Sequence, residues 1–187
     1  MIKKFAENQN WAKATPWMGT ISVILLFSFY SSSQAMFWAF VNIPLYLFHQ
    51  AEEHYKPGGF KGYINQVINH LPEGEEKLTD IQIFWINVGF VWIILTILGI
   101  LSFYNIGFGL LIIIFSITNC LTHIFQGIKR REWNPGLIVA SIQFLLSVYG
   151  AYFITINTLN NQWLWWSCSV IFTIIVHALL FKNILRD

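Results

Sequence analysis

Long apolar segments along this chain are separated by polar ones, and the apolar segments are close to the length of a membrane helix. Six apolar segments lie near Pro16–Tyr30, Ala35–His54, Ile81–Phe103, Ile106–Ile128, Pro135–Asn157 and Trp163–Leu185. Most of them approach the ~20 residues that an α-helix needs to cross the hydrocarbon core of a bilayer. The pattern predicts an all-α fold: a polytopic membrane helix bundle with six transmembrane helices, forming a single transmembrane domain over residues 1–187.

The one long connection, Tyr55–Asp80, carries a pattern of its own. Pro57-Gly58-Gly59 ends the second helix, because proline removes a backbone donor and glycine favours turns. Apolar residues then recur at helical spacing, at Ile64, Val67, Ile68 and Leu71. This spacing predicts a short amphipathic cytoplasmic helix on the membrane surface between helices 2 and 3, with a plain loop as the alternative. Thr79-Asp80 resembles an N-cap for the third helix.

Composition and charge place the chain in a membrane. The sequence is 56% hydrophobic and 11% charged, whereas about a quarter of the residues in soluble domains are charged. All eleven Lys and Arg residues fall in the terminal segments and in the second and fourth connections. The positive-inside rule therefore predicts an integral, multi-pass protein of a bacterial cytoplasmic membrane with both termini cytoplasmic (N-in/C-in). In the N-terminal segment, Ile2, Phe5 and Trp11 are expected to rest on the headgroup layer.

The same numbers limit the partners. A net charge of +2, without a basic run interleaved with aromatic residues, argues against a nucleic-acid partner. Membrane lipid and an amphiphilic small-molecule substrate are the expected partners. The pattern favours no particular oligomeric state.

Polar residues inside the apolar segments form stripes with the period of a helix. The stripes are Asn42, Tyr46, His49 and Glu53 in the second segment, Ser116, Asn119, His123 and Gln126 in the fourth, and Ser169, Thr173 and His177 in the sixth. The third segment carries Asp80 and Asn87, seven residues apart. Because the rest of each segment is lipid-like, we expect the stripes to face one another inside the bundle.

Three histidines on these stripes also share a depth. His49, His123 and His177 lie seven, six and five residues before a lysine that marks the cytoplasmic edge. At ~1.5 Å per residue, all three lie roughly 8–10 Å inside that edge. Imidazoles and carboxylates at one level are typical of a metal site. The predicted ligands are His49, Glu53, His123 and His177.

Further roles follow for the residues around these ligands. Glu52 and Glu53 are the candidate catalytic carboxylates, since two adjacent carboxylates in poor solvent do not both ionise easily. The residues expected to orient the ligands are Asn42, Tyr46, Asn87 and Asn119. Simpler alternatives are that the two glutamates pair with basic residues at the interface and that His177 is a hydrogen-bonding partner. His54 and His70 are expected at the level of the headgroups.

Several short motifs occur in a fixed order. They are His49-x-x-Glu52-Glu53, Pro57-Gly58-Gly59-Phe60, Asn87, Asn119-x-x-x-His123 and Asn134-Pro135-Gly136. This ordered set, over roughly residues 40–150, resembles the HXXEE-domain family of small membrane proteins. The resemblance implies that the defining positions are His49, Glu52, Glu53, His123 and Pro135, and it implies no particular reaction. Zincin, P-loop, dinucleotide-binding and serine-hydrolase motifs are absent from the sequence.

The predicted function is that of a membrane-embedded, metal-dependent hydrolase acting on an amphiphilic or lipid-like substrate from the cytoplasmic side. Its cofactor would be a divalent metal, zinc in preference to iron, and one glutamate would act as general base on a water that the metal activates. The alternatives are an iron-dependent membrane oxidase or hydroxylase, a non-enzymatic transporter or binding protein, and a small membrane scaffold.

Overall fold

Every regular element in the described part of the chain is a helix. The computed structural model describes residues 2–184, with side chains up to residue 182, and the all-α prediction is confirmed. The helices are α1 (Ile2–Ala6), α2 (Thr15–Phe29), α3 (Ala35–Phe40), α4 (Asn42–His54), α5 (Phe60–Gly62), α6 (Asp80–Phe84), α7 (Ile93–Ser102), α8 (Gly107–Arg130), α9 (Leu137–Asn157) and α10 (Gln162–Ile184). A 3₁₀ segment, Glu7–Ala14, joins α1 to α2. π-Helical turns extend α5 through Tyr63–Ile68 and join α6 to α7 through Trp85–Trp92.

Five helical stretches of the described residues, not six, are long and apolar enough to cross a membrane. They are Ile2–Phe29, Asp80–Ser102, Gly107–Arg130, Leu137–Asn157 and Gln162–Lys182. The prediction of six was wrong at its second member, Ala35–His54, which divides at Val41 into α3 and the 13-residue α4. Five helices of this kind are consistent with a multi-pass membrane protein, and the orientation of the termini stays a prediction.

The polar half of this missing span is α4, and other parts of the protein cover it. Its last turn and a half contains five polar or ionisable side chains, and all of them are buried. α4 contacts α2, α8, α9 and the 3₁₀ segment, which together shield it from the surroundings. A buried helix can therefore carry ionisable groups that would be costly on a helix facing lipid.

The N-terminal segment packs on the bundle more deeply than its sequence predicts. Ile2 and Phe5 are exposed, but Trp11 is 4% exposed, with its ring centroid 5.1 Å from that of His54 and 5.8 Å from that of Trp92. The backbone N–H of Asn8 also donates to Asp80 Oδ2 at 3.1 Å. The expectation that Trp11 rests on the headgroups was wrong, because its ring is buried against His54 and Trp92.

The predicted helix in the long connection is present as Phe60–Gly62 and Tyr63–Ile68. Its buried residue Ile64 packs in one cluster with Trp11, Leu78 and Ile83. The side chain of Asn65 binds the backbone of Leu78 in both directions, donating to its carbonyl oxygen at 2.8 Å and accepting from its N–H at 2.9 Å. The connection is thereby held against the bundle next to α4.

The cap predicted for the third segment is also present. Thr79 accepts a hydrogen bond from the backbone N–H of Gln82, and the Gln82 side chain accepts one from the Thr79 backbone, which forms a capping box. The reciprocal pair satisfies two backbone donors at the start of α6 and fixes where the long connection ends.

α8 is the central helix, in contact with α3, α4, α7, α9 and α10. It approaches α3 closely because Gly109 has no side chain: a Cβ there would lie 2.7 Å from the Cβ of Ala39. The buried Ser147 hydroxyl of α9 donates to Asn42 Oδ1 at 2.6 Å. Gly109 therefore brings α8 close to α3, and the Asn42–Ser147 bond joins α4 to α9, while α8 and α9 both contact α4.

Candidate metal centre

Glu53 lies between two histidines that reach it from different helices. His49 is one helical turn before it in α4, and His49 Nε2 is 3.5 Å from Glu53 Oε2. His123 projects from α8, with its Nε2 3.2 Å from Glu53 Oε1. All three residues are less than 8% exposed, and one ligand atom from each lies within 4.8 Å of the others. This cluster could hold a metal ion.

The orientation of His49 is set by a backbone carbonyl. Its Nδ1 is 3.1 Å from the carbonyl oxygen of Gly136, which can only accept a hydrogen bond. The ring therefore carries its proton at Nδ1 and presents a lone pair at Nε2. Asn119 Nδ2 lies 3.1 Å from that Nε2 and donates to it.

His123 is held in the same way by a side chain. Its Nδ1 donates to Asn134 Oδ1 at 3.0 Å, while Asn134 Nδ2 donates to the backbone oxygen of His123 at 3.0 Å. Asn134 is 1% exposed. Its two bonds fix both the ring and the backbone of His123, so that Nε2 faces Glu53.

These two tautomers call for a positive charge in the cluster. A neutral imidazole has one N–H and one lone pair, and both N–H groups are used at Nδ1. The Nε2 lone pair of His123 then faces an acceptor-only carboxylate, which is repulsive unless a cation or an additional proton lies between them, whereas the Nε2 lone pair of His49 accepts from Asn119. Histidines that bind metals are oriented by this kind of acceptor on the second ring nitrogen.

The distances also fit a small divalent ion. Zinc binds imidazole nitrogen at about 2.0–2.1 Å and carboxylate oxygen at about 2.0–2.2 Å, usually as a tetrahedron. The edge of such a tetrahedron is about 3.3 Å, close to the 3.2 Å between His123 Nε2 and Glu53 Oε1, while His49 Nε2 lies 3.5 Å from the other carboxylate oxygen, Oε2. Three protein ligands of this type leave one coordination position open.

Glu52, the neighbour of Glu53, has a different environment. Its Oε1 accepts from the backbone N–H of Ile138 at 3.1 Å, and its Oε2 accepts from that of Val139 at 2.7 Å. These donors belong to the first turn of α9, where backbone N–H groups lack helical partners and favour a negative charge. Both oxygens of Glu52 thus bind the start of α9, which favours a positioning role, and its catalytic role stays a prediction.

The turn before α9 brings the cluster together. Gly136 has a φ of +94°, and a Cβ at this position would lie 2.6 Å from His49 Cε1 and 2.7 Å from Glu53 Cγ. Only glycine allows both the left-handed backbone and this close approach. The sequence Asn134-Pro135-Gly136 therefore supplies the acceptor for His123, the acceptor for His49 and the space for Glu53.

His54 belongs to this site and not to the headgroup level, so the prediction for it was wrong. It is 7% exposed, and its Nε2 is 3.4 Å from Glu53 Oε2 and 3.5 Å from Asn87 Nδ2. Its ring packs between Trp11 and Phe60, whose centroids are each 5.1 Å away. His70, by contrast, is exposed as expected.

A chain of hydrogen bonds through Trp92, Gln50 and Asn87 leads to His54. Trp92 Nε1 donates to Gln50 Oε1 at 2.7 Å, Gln50 Nε2 donates to Asn87 Oδ1 at 2.8 Å, and Asn87 Nδ2 faces His54. Asn87 thus has the orienting position predicted for it, although it acts next to His54 and not next to a predicted ligand.

The other predicted residues lie at graded distances from the cluster. Asn119 contacts His49 directly, and the ring centroid of Tyr46 is 5.8 Å from that of His49. Asn42 joins α4 to α9 through Ser147, away from the ligand atoms. His177 is outside the group of possible ligands, and its Nδ1 is 3.0 Å from the carbonyl oxygen of Thr173 in its own helix.

Four residues of the site were missed as functional candidates: Gln50, His54, Asn134 and Gly136. A sequence feature could have identified Asn134 and Gly136: the Asn-Pro-Gly sequence stands immediately before an apolar segment, and a glycine there indicates a special backbone conformation. Gln50 had no such feature, because a glutamine beside a histidine on a helix does not indicate which neighbour it meets.

A cavity of about 510 Å³ opens beside the cluster, within the range of ~300–1,000 Å³ typical of ligand pockets. Glu53, His54, Asn119 and His123 line it on one side, and His177 lines it from α10. Most of the remaining wall is apolar or aromatic, from Phe60, Ile64, Ile68, Ile86, Val91, Leu180 and Phe181, with Lys129 and Arg130 also on its boundary.

The fold and the cluster define a class: a helical protein with several potential membrane helices around a buried His/Glu group that could bind a metal ion. A family model described as "Protein of unknown function with HXXEE motif" matches residues 38–153. The match covers more than half of the chain, so the protein belongs to the HXXEE family, as its ordered motifs indicate. No curated protein and no solved structure matches the chain.

Proposed function

We propose that this protein is a metal-dependent membrane hydrolase that adds water across an ester or amide bond of an amphiphilic substrate. The observation that supports it best is the pair of histidines whose Nδ1 atoms are engaged by carbonyl oxygens while both Nε2 atoms face Glu53. The adjoining apolar cavity supports a substrate with a hydrocarbon part.

In this proposal His49, His123 and Glu53 hold the ion. A divalent metal, zinc in preference to iron, would supply a Lewis acid and an activated water. His49 would give up its hydrogen bond from Asn119 on binding the ion, and the Asn119 amide would then be free to donate to a substrate oxygen in the cavity it lines.

The surrounding residues keep the ligands in place. Glu52 fixes the first turn of α9 and with it the Gly136 carbonyl that orients His49. His54 contacts the Glu53 carboxylate, and the rings of Trp11 and Phe60 cover it. Ligands preorganised in this way do not need to move when the ion binds.

The substrate would enter from the cytoplasmic leaflet, under a flap formed by residues 59–71. Support for this route comes from the distribution of Lys and Arg and from the contact of Tyr63 with α8, where its hydroxyl donates to Gln126 Oε1 at 3.2 Å across the cavity wall. Opening this contact would separate the flap from α8.

Elemental analysis of the detergent-purified protein tests the metal. We expect close to one zinc per chain in the wild type and less than a tenth of that in Glu53→Ala and His123→Ala. The matched control is Glu75→Ala, which removes an exposed carboxylate in the long connection. A wild-type protein that binds no divalent metal after incubation with zinc, while both variants merely unfold at lower temperature, would overturn the proposal.

Activity is tested with amphiphilic esters and amides presented in nanodiscs, with products followed by mass spectrometry. We expect zinc-dependent release of a carboxylate product, abolished by a chelator and by Glu53→Ala but not by Glu75→Ala. Bound iron with a visible chromophore would instead support the oxidase alternative, and accumulation of unchanged ligand in proteoliposomes would support transport.

A further inference from the structure

His177 lines the cavity and carries a hydrogen-bond acceptor that has no partner among the described residues. Its Nδ1 is 3.0 Å from the carbonyl oxygen of Thr173, so the ring proton is at Nδ1 and the Nε2 carries a lone pair. This Nε2 is buried and has no hydrogen-bond partner among the described residues, and the residue is only 5% exposed. A buried acceptor of this kind gains a hydrogen bond when a molecule in the cavity supplies a donor.

The ring is held firmly in this orientation. Its centroid is 5.2 Å from that of Phe115 and 6.0 Å from that of Phe181. The cavity shared by His177 with Glu53 and His123 would allow one bound molecule to contact both walls. His177 is not in the group of possible metal ligands, so its lone pair is available to that molecule.

We infer that His177 selects substrates that carry an uncharged hydrogen-bond donor, an amide N–H or a hydroxyl, near the bond presented to the metal centre. The apolar and aromatic neighbours of the ring disfavour a charged donor such as an ammonium group, because a charge without a counter-ion is costly to bury. A substrate analogue without a donor would leave the Nε2 of His177 unpaired, so the site also discriminates strongly against analogues of this kind. The substrate class is thus an amphiphile with a donor next to its polar group, such as an N-acyl amide or a hydroxy ester.

Binding of two matched amides tests this inference. The probes are N-dodecylacetamide, which has an N–H, and N-methyl-N-dodecylacetamide, which lacks it while keeping the chain and carbonyl. Binding is measured calorimetrically to the protein in phosphatidylcholine nanodiscs, whose lipid has no donor to compete. We expect the secondary amide to bind about fivefold to tenfold more tightly, as one net hydrogen bond allows.

Variants assign the preference to the ring. His177→Gln keeps an acceptor near the position of Nε2 and should retain most of the preference, whereas His177→Phe should bind both amides equally. His70→Phe, which changes an exposed histidine at the boundary of the same cavity, should leave the preference unchanged. Equal affinities in the wild type, as expected if a permanent water occupies Nε2, or loss of the preference in His70→Phe, would overturn the inference.

The inference rests on the proposed function for the meaning of the cavity, and the experiment separates the two. The same titration in Glu53→Ala measures the preference without the metal centre. A preference in a protein that binds no zinc would leave the His177 site standing and remove the hydrolase. Zinc binding and hydrolysis without a preference would remove only the role of His177.

Discussion

The two walls of the cavity differ in how the polar atoms in and behind them are satisfied. In and behind the wall built by α4 and α8, the polar atoms of His49, His123 and Glu53 are engaged by Gly136, Asn134, Asn119 and one another, while His54 Nδ1 has no partner among the described residues. On α10, the buried His177 Nε2 and Thr173 Oγ1 are without partners among the described residues. Both histidine sets stood on helical stripes of the same kind in the sequence.

The first site has side chains that are already held by hydrogen bonds, and the second has an acceptor without a partner. Side chains fixed by second hydrogen bonds lose little freedom when an ion binds, which suits them to hold a permanent cofactor. An acceptor without a partner gains most when a donor arrives, which suits it to recognise a molecule that comes and goes.

The largest expected effect comes from Gly136→Ala, which disturbs the packing around His49 and Glu53. The new Cβ would meet His49 and Glu53 and require a left-handed backbone, so we expect a loss of several kcal/mol of stability and of most zinc binding. Gly74→Ala is the control, since its φ is +87° but a Cβ there meets nothing within 4 Å. Thermal unfolding and zinc titration of both variants measure the effect; equal losses in the two would contradict the steric account.

The next effect is that of Asn134→Ala, which removes the acceptor that orients His123. We expect zinc affinity to fall ~10–100-fold, the usual effect of losing an orienting partner of a histidine ligand. Asn157→Ala is the comparison, because the Asn157 amide bonds only a carbonyl within α9 and is exposed. Competition with a chromogenic zinc chelator gives both affinities, and an unchanged affinity in Asn134→Ala would show that His123 does not bind the ion.

Glu52→Gln should separate stability from metal binding. One of the two backbone N–H groups of α9 would face an amide NH₂, so we expect a loss of roughly 1–3 kcal/mol in the free energy of unfolding with the zinc stoichiometry retained. Chemical unfolding in detergent and elemental analysis provide the two measurements. Glu132→Gln, at an exposed residue paired with Arg130, is the control for losing one charge. Loss of hydrolysis in folded, zinc-loaded Glu52→Gln would restore the catalytic role for this residue.

The smallest effect is expected from His177→Phe in the absence of any amphiphile. Because His177 lies outside the ligand group, its zinc content should equal that of the wild type and its melting temperature should change by no more than about 2 °C. Differential scanning fluorimetry and elemental analysis would check this. A fall in zinc content would make the two walls parts of one metal site.

The helical class and much of the His/Glu cluster could be predicted because both depend on local periodicity. Apolar length predicted the long helices, and steps of three and four residues placed His49 with Glu53 and Asn119 with His123 on common faces. The break of the second segment at Val41 depends on tertiary packing, because α4 is covered by its neighbours. Hydrophobicity alone does not reveal which polar segment will be shielded.

The roles of consecutive residues could not be separated in the same way. Glu52, Glu53 and His54 differ by about 100° in direction from one to the next, and what each meets is decided by other segments. Glu52 meets α9, Glu53 meets His123, and His54 meets Trp11. The N-terminal segment and the turn before α9 carry no period that would link them to α4.

The shielding of α4 also has a consequence for the order in which the protein assembles during synthesis. A short helix with two glutamates and two histidines inserts poorly by itself, since charged residues disfavour entry into lipid. The Gly136 carbonyl that receives His49 follows it by 87 residues, so it leaves the ribosome long after α4. We therefore expect α4 to remain at the edge of the membrane during translation and to enter the bundle only when α8 and α9 have been inserted.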